Sequence, residues 1–175
     1  MPRPYIFFTM FKIPFSGLSL GHHTFEFRVN DTFFETFDYD EITDCKIKLN
    51  IKLEKTERFL KLDFHFNGKC FVPCDRCLDP VEIPINHEET LIVNFGNEND
   101  FDSEVWTIAS KEHELILDNF IYETLVLLRP LSVMHDVEDC NPNMLKKLQA
   151  PQESKPVEDP RWDVLKALKN SLDKS

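Results

Sequence analysis

The sequence predicts an α+β fold: an antiparallel β-meander, or a partly closed β-barrel, followed by one long amphipathic helix and a C-terminal helix. Three observations support this prediction. Apolar and polar residues alternate through much of 24–95, apolar residues recur at helical spacing within 115–129, and Asp159-Pro160 precedes a last amphipathic stretch. Because the turns between strands are short, antiparallel pairing is favoured over parallel pairing, which needs long crossover connections.

The clearest strand is residues 45–53, where five apolar residues alternate with three lysines and an asparagine. This pattern buries one face of the strand and leaves the other face basic. The same period predicts further strands at residues 24–29, 60–66, 81–85, 91–95 and 105–108. Asn30-Asp31 offers a cap for a short helix or turn at residues 32–37.

The long helix is predicted at about residues 115–129, and Pro130 ends it because proline cannot continue a helix. A proline in the first turn after an aspartate cap predicts the start of the C-terminal helix. The predicted organisation is a single β-rich domain with the packed helix (1–142), a linker with a short helix (143–158) and a C-terminal amphipathic helix (159–175).

The charge is acidic and unevenly distributed. The 175 residues carry a formal net charge of −11, and residues 97–142 hold 11 acidic and 2 basic residues. Such a segment repels nucleic acid at long range and favours a basic protein partner, although solubility is the commoner role of acidic charge. The four glycines are scattered, which argues against a phosphate-cradling loop.

The sequence indicates a cytoplasmic protein. No apolar run approaches the roughly 20 residues that a membrane span requires. Five cysteines are an odd number, and they lack the density of a secreted disulfide scaffold. We expect Met10 to be the natural start of the protein.

Cys70, Cys74 and Cys77 have the spacing C-x3-C-x2-C, which allows several chemistries. The spacing matches the iron–sulfur motif of radical enzymes. Such enzymes need a barrel much larger than this chain can form. A dithiol redox centre needs a helix that starts at its first cysteine, whereas here Pro80 and an alternating strand follow. The sequence on its own favours reduced cysteines that pack in a knuckle-like turn.

Zinc is the metal that the cysteines could bind. Cys74 and Cys77 form half of a tetrahedral site, and His135 and Cys140 are the candidates for the other half. A complete zinc ribbon would show a second C-x2-C, which the sequence lacks. No firm cofactor is therefore predicted, and zinc is left as a possibility.

No catalytic residues are predicted. The six histidines show no metal-ligand spacing on a helix, and no serine lies in the context of a nucleophile elbow. We therefore predict a protein without enzymatic activity.

RNA contact is predicted only from the basic strand face. Alternation places Lys46, Lys48 and Lys52 on one side of their strand, and Lys61 and Arg76 can join them from neighbouring strands. Lysines and arginines contact phosphates, although solvated lysines are common on exposed strands.

Three blocks of the sequence occur in an order known from one protein family. The first runs from Cys74 to Val81, and the third runs from Asp159 to Lys169. The second is the apolar stretch from Glu114 to Leu128, followed by Pro130 to His135 and then Cys140. Together these blocks resemble motifs of the YceD family of large ribosomal RNA subunit accumulation proteins.

The resemblance implies a non-enzymatic role in ribosome biogenesis, in support of large-subunit ribosomal RNA accumulation. We expect ribosomal or ribosome-assembly proteins as partners, with large-subunit ribosomal RNA as a further candidate, and neither a membrane nor a small-molecule substrate. A zinc-stabilised structural adaptor and a thiol redox protein are the alternatives. The candidates for partner binding lie in the C-terminal helix: Asp159, Pro160, Arg161, Trp162, Leu165 and Leu168.

Overall fold

The computed structural model of the protein describes residues 11–101 and 105–149. These residues form strands and helices in the following order along the chain. They are β1 (Lys12–Ile13), β2 (Gly21–Asn30), α1 (Asp31–Glu35), β3 (Asp44–Lys55), β4 (Phe59–Pro73), β5 (Pro80–Gly96), β6 (Trp106–Ala109), β7 (Leu115–Ile116), α2 (Asp118–Leu127) and α3 (Pro142–Gln149).

Five strands form one sheet in the order β2-β3-β4-β5-β6. The first four pair antiparallel as a meander, and β6 then pairs parallel to the end of β5, with Trp106 opposite Val93. β1 and β7 form a separate two-stranded pair. The sheet is therefore mixed, with β2 and β6 at its edges.

One face of the sheet carries the hydrophobic core. The alternating apolar residues of β3 are at most 1% exposed: Cys45, Ile47, Leu49, Ile51 and Leu53. The ring of Phe120 in α2 lies 4.8 Å from the ring of Phe64 in β4 and 5.6 Å from that of Trp106, measured between centroids. Helix α2 therefore covers this face, while polar residues occupy the opposite one, as expected for an antiparallel sheet with one solvated side.

The predicted fold class is wrong. The described residues are mostly β, and their sheet is mixed because β6 is parallel to β5. The sheet does not close into a barrel within the residues described, since β2 and β6 have different neighbours. The antiparallel meander fits only in part, from β2 to β5.

The predicted long helix at residues 115–129 is also wrong. Leu115 and Ile116 pair with β1 instead, and the backbone N–H of Leu117 donates a hydrogen bond of 2.9 Å to the carbonyl of Phe11. The helix therefore begins only at Asp118 and has ten residues. The apolar residues that predicted one helix are thus divided between strand β7 and helix α2.

The strands predicted at 81–85 and 91–95 are one continuous strand, β5, of 17 residues. The polar residues 86–90 between them lie opposite residues 63–67 of β4, so the ladder continues through them. Because β4 pairs with residues 86–90, these residues continue the strand and do not form a turn.

The chain divides into two compact units, one ending at Asn141 and the other starting at Pro142. Helix α3 belongs to the second unit, and the predicted helix at 159–175 lies outside the described residues. The proposed domain boundaries stay a prediction. Among the helices that the structure describes, none combines the length and the apolar character needed to cross a membrane.

Gly68 is required by the close approach of β3 and β4. A Cβ atom at this position would lie 2.1 Å from the carbonyl oxygen of Lys46 and 2.7 Å from the Cα of Ile47. Both neighbours are backbone atoms, which cannot rotate away as a flexible side chain could. Any larger residue must therefore push the two central strands apart.

We expect Gly68→Ala to lower the free energy of unfolding by about 1–3 kcal/mol, because overpacking forces the backbone to shift. Denaturant unfolding measures this change. Gly17→Ala is the matched control, since an added Cβ there meets nothing within 4 Å. Equal stability of the two variants would contradict the packing of β3 against β4.

Candidate metal centre

Two of the candidate ligands lie in the loop that connects β4 and β5. Pro73 and Pro80 pair at the end of the ladder, and residues 74–79 form the loop between them. The N–H of Cys74 donates to the carbonyl of Asp79 at 2.9 Å, and the N–H of Leu78 donates to the carbonyl of Cys74 at 3.0 Å. These bonds fold the loop into a compact knuckle that brings Cys74 and Cys77 to one side.

Leu78 closes this knuckle in an unusual backbone conformation. Its φ is +66°, in the left-handed region that costs a residue with a Cβ about 1–2 kcal/mol. Leu78 is 66% exposed, so packing of its side chain does not offset that cost. The hydrogen bonds of the loop hold the backbone in this conformation.

The other two candidate ligands come from the segment after α2. The N–H groups of Asp139 and Cys140 both donate to the carbonyl of Asp136, at 3.0 and 3.1 Å. This turn returns the chain, so that Cys140 lies beside His135, with its Sγ 3.9 Å from the carbonyl oxygen of His135.

Asp75 joins the two segments. Its carboxylate accepts hydrogen bonds from the N–H of Val133 at 2.8 Å and from the hydroxyl of Ser132 at 3.1 Å. Its own N–H donates to the carbonyl of Val133 at 2.8 Å. We call these three bonds the Asp75 clasp. Because none of its members is a candidate ligand, the clasp positions the two halves of the site independently of a metal.

The four candidate ligand atoms meet in one place, where all lie within 4.8 Å of one another. Cys74 Sγ lies 4.0 Å from Cys140 Sγ, and Cys77 Sγ lies 3.4 Å from His135 Nδ1. Tetrahedral zinc with sulfur at about 2.3 Å and nitrogen at about 2.0–2.1 Å places neighbouring ligands about 3.5–3.8 Å apart. The donor set and its spacing therefore fit a Cys3His site for a divalent metal.

The tautomer of His135 suits this role. Its Nε2 lies 3.2 Å from the carbonyl oxygen of Pro80, which can only accept, so this nitrogen carries the hydrogen and donates. Nδ1 is then left with a lone pair that faces the cysteines. A backbone carbonyl that orients the second ring nitrogen is the usual arrangement around a metal-bound histidine.

The electrostatics of the site favour a thiolate. Burial opposes ionisation of Cys74, but the backbone N–H groups of Cys77, His135 and Arg76 stabilise the thiolate and lower its pKa to about 6. Hydrogen bonds to Cys74 and Cys77 raise the pKa of His135. Burial, followed by hydrogen bonds to the same two cysteines, raises the pKa of Cys140 to about 11. A metal would displace the remaining protons from such a set of ligands.

Cys70, the first member of the C-x3-C-x2-C pattern, does not join the site. It lies within β4, directly opposite Cys45 of β3, and both residues are buried in the core. The pKa of Cys45 is raised, and the main cause is the hydrogen bond between these two thiols. Cys70 therefore belongs to the core, whereas Cys74 and Cys77 belong to the Cys3His cluster. The three cysteines do not come together as an iron–sulfur motif requires.

The predicted RNA-binding residues occupy different places. Lys46, Lys48 and Lys52 are exposed on the polar face of β3. Lys61 lies towards the other end of the sheet and forms an ion pair of 3.0 Å with Asp63. Arg76 lies in the knuckle, where its Nε is 3.1 Å from Met134 Sδ.

The register also brings residues together that the sequence reasoning missed. Arg28 of β2 lies opposite Lys48, and Lys69 of β4 lies opposite Lys46. Both belong to alternating segments, but only the pairing of strands reveals that they are neighbours. The predicted partner-binding residues at 159–168 lie outside the described residues.

The fold and the site define a small mixed-sheet protein with a Cys3His cluster built from a hairpin knuckle and a later segment. The sequence model of the family described as "Large ribosomal RNA subunit accumulation protein YceD" matches residues 62–169. The chain therefore belongs to the YceD family, as its three sequence blocks predicted. Searches of curated proteins and of solved structures found no match.

Membership in the YceD family indicates the function of the protein in general terms. The description of the family names the accumulation of large-subunit ribosomal RNA, which indicates a role in ribosome biogenesis. It names no catalytic activity. The matched region contains all four members of the Cys3His cluster.

We expect Asp75→Ala to weaken Zn²⁺ affinity about 10–100-fold, although all four candidate ligands stay in place. The reason is that the clasp orients the two halves of the site, as outer-shell partners of metal ligands do. Competition with a chromogenic chelator measures the affinity.

Asp40→Ala makes the same chemical change at an exposed residue of another loop and should leave the affinity unchanged. Affinity for Zn²⁺ that is the same in Asp75→Ala as in the unaltered protein would show that the clasp does not position the ligands.

Proposed function

We propose that this protein is a non-enzymatic ribosome biogenesis factor of the cytoplasm, in which bound zinc holds the knuckle to the segment after α2. It supports accumulation of large-subunit ribosomal RNA by binding ribosomal or ribosome-assembly proteins. The observation that carries the proposal is that the family match covers both halves of the Cys3His cluster.

Zinc suits the donor set better than other common metals. Three thiols and one imidazole are soft or borderline ligands, which disfavour magnesium and calcium. A closed site with four protein ligands is typical of structural zinc, whereas catalytic zinc keeps an open position for water. The role that follows is mechanical: zinc would fix the knuckle against residues 133–140 and present the surrounding surface in one conformation.

A thiol redox function has less support. The pKa of about 6 at Cys74 resembles that of a reactive thiol, but Cys74 is 0% exposed and Cys77 is 2% exposed. A redox cysteine must be reached by its substrate. A zinc-stabilised structural adaptor, in contrast, is compatible with the proposal, since the adaptor would be the form in which the protein binds its partners.

We expect protein purified without chelator to contain about one zinc per chain, and Cys74→Ser to lose it, because a neutral hydroxyl cannot replace the thiolate. Metal analysis measures the zinc. Cys45→Ala is the control, since Cys45 is a buried cysteine in the sheet and should leave the zinc content unchanged. Less than half an equivalent of metal in the unaltered protein would contradict the proposal.

The cellular part of the same test uses depletion of the protein followed by complementation. Large-subunit ribosomal RNA should fall relative to small-subunit ribosomal RNA on depletion, and Cys45→Ala should restore it whereas Cys74→Ser should not. If depletion leaves the ratio unchanged, the proposed role in ribosome biogenesis is wrong.

Direct RNA binding is a second candidate function, favoured by one observation. The strand register places four cations in two neighbouring rows on the polar face of the sheet: Arg28, Lys46, Lys48 and Lys69. We call these residues the basic patch. In a protein with a net charge of −11, a local cluster of this kind is the surface on which phosphates would be attracted.

Two members of the basic patch are held by carboxylates. Lys46 pairs with Asp44 at 3.2 Å and Lys69 with Glu82 at 2.7 Å. The other two members have no ion pair within the part of the chain that the structure describes. The ammonium of Lys69 also lies 5.5 Å from the ring centroid of Phe71, an aromatic residue on which a base could stack.

We expect Lys46→Glu plus Lys48→Glu to weaken binding to a fragment of large-subunit ribosomal RNA and to reduce the slope of log affinity against log salt by about 2. Filter binding across a salt series measures both. Arg58→Glu plus Lys111→Glu makes the same change in net charge on exposed residues outside the basic patch and outside the predicted RNA-binding residues. RNA affinity that responds equally to both pairs, or to neither, would contradict this function.

A further inference from the structure

A cavity of about 470 Å³ lies between α2, β6 and the loops beside them. It is in the unit that carries the Cys3His cluster, but it uses none of the four candidate ligands. Its volume is within the range of about 300–1,000 Å³ that is typical of binding pockets. None of the functions argued above employs it.

The wall of this cavity combines aromatic and acidic residues. Trp106 and Phe101 pack edge to face with their ring centroids 4.9 Å apart, and Phe101 is 45% exposed. Trp106 also packs edge to face against Phe120, with the ring centroids 5.6 Å apart. Ile116, also in the wall, is 53% exposed. The cavity therefore offers a rigid apolar surface that faces solvent.

Four carboxylates line the same cavity, and among the residues that the structure describes no lysine or arginine does. Asp118 accepts a hydrogen bond from the N–H of Phe11 at 2.7 Å, and Glu114 pairs with Lys12 at 3.2 Å. Glu112 and Glu123 form no ion pair within the residues that the structure describes. These two carboxylates are therefore available to a cation that enters the cavity.

The combination of aromatic rings and carboxylates matches one kind of side chain. Lysine and arginine carry a positive charge at the end of an apolar stem, so the stem can pack on the rings while the charge meets the carboxylates. A cation over an aromatic face is further stabilised by the electrons of the ring. Phosphates of RNA would be repelled by the same wall.

We propose that this cavity binds a lysine- or arginine-containing segment of a partner protein, with the cationic end at Glu112 and Glu123 and the apolar stem on Trp106 and Phe101. The proposal rests on the proposed function in taking this partner to be a ribosomal or assembly protein. Proteins that contact ribosomal RNA need basic residues for its phosphates, so such segments are expected among the partners. A volume of about 470 Å³ also leaves room for the apolar neighbours of the cation.

The binding test uses the fluorescence of Trp106. The chain has two tryptophans, so Trp162→Phe leaves Trp106 as the single reporter. The probe is a capped pentapeptide, Leu-Lys-Leu-Arg-Leu, added to the full chain at low salt. A saturable change in the emission of Trp106 is expected, and the neutral peptide Leu-Gln-Leu-Gln-Leu should bind at least about tenfold more weakly.

Glu112→Gln plus Glu123→Gln should weaken binding of the cationic peptide about tenfold, because two attractive charges are removed without loss of volume. Glu26→Gln plus Glu88→Gln is the matched control, which changes net charge equally on exposed residues of β2 and β5 that do not line the cavity. The control pair should alter the affinity less than about twofold.

Several results would overturn the proposal. They are an emission of Trp106 that does not respond to the cationic peptide, equal binding of the neutral peptide, and an equal loss of affinity in the control pair. A short RNA oligonucleotide that changes the emission and binds more tightly after Glu112→Gln plus Glu123→Gln would make the cavity an RNA site instead.

Complementation separates the failure of this proposal from the failure of the proposed function. If Glu112→Gln plus Glu123→Gln abolishes peptide binding and yet restores ribosomal RNA fully, the assignment of the cavity to a ribosomal partner is wrong, while the role in ribosome biogenesis stands. If depletion has no effect on ribosomal RNA, that role is wrong, and peptide binding at the cavity is judged by the fluorescence alone.

Discussion

Fifteen residue pairs join β4 to β5, and this ladder positions the Cys3His cluster, the cavity at Trp106 and the basic patch. Its loop is the knuckle that carries Cys74 and Cys77. At its other end, β6 adds to β5 in parallel and contributes Trp106 to the wall of the cavity. Its buried face packs against α2, and its polar face continues the row of cations from β3.

The ladder also explains why the metal centre needs a second segment. A hairpin loop of six residues presents two cysteines, which is half of a tetrahedral site. The Asp75 clasp brings His135 and Cys140 to the same place by ordinary hydrogen bonds, so the site is largely formed by the fold itself. Metal binding to a site that is already arranged adds stability to the folded state and requires little further ordering of the chain.

Some of this organisation was predictable from the sequence, and the reasons differ between elements. The period of two in residues 45–53 predicted β3, because a strand with one buried face must alternate. The C-x2-C spacing and the later His135 and Cys140 were recognisable as candidate ligands, and the structure brings them together. The family resemblance rested on three sequence blocks, two of which contain these candidate ligands, and it was confirmed by the match over residues 62–169.

Other features depend on contacts that no local pattern contains. Leu115 and Ile116 continue a helical spacing but pair with β1, about a hundred residues earlier in the chain, so the long helix could not be excluded from the sequence. The parallel pairing of β6, the register that places Arg28 beside Lys48, and the Asp75 clasp are likewise consequences of tertiary structure. The cavity at Trp106 follows from the same contacts, since its wall combines β6, β7, α2 and the loops between them.

The most direct test of this account is the X-ray absorption spectrum of the zinc-loaded protein at the zinc edge. Three thiolates and one imidazole predict a first shell of three sulfurs at about 2.3 Å and one nitrogen at about 2.0–2.1 Å. Cys74→Ser should lose the metal, so its zinc-edge signal should disappear. A first shell of only oxygen and nitrogen, or of four sulfurs, would contradict the Cys3His centre.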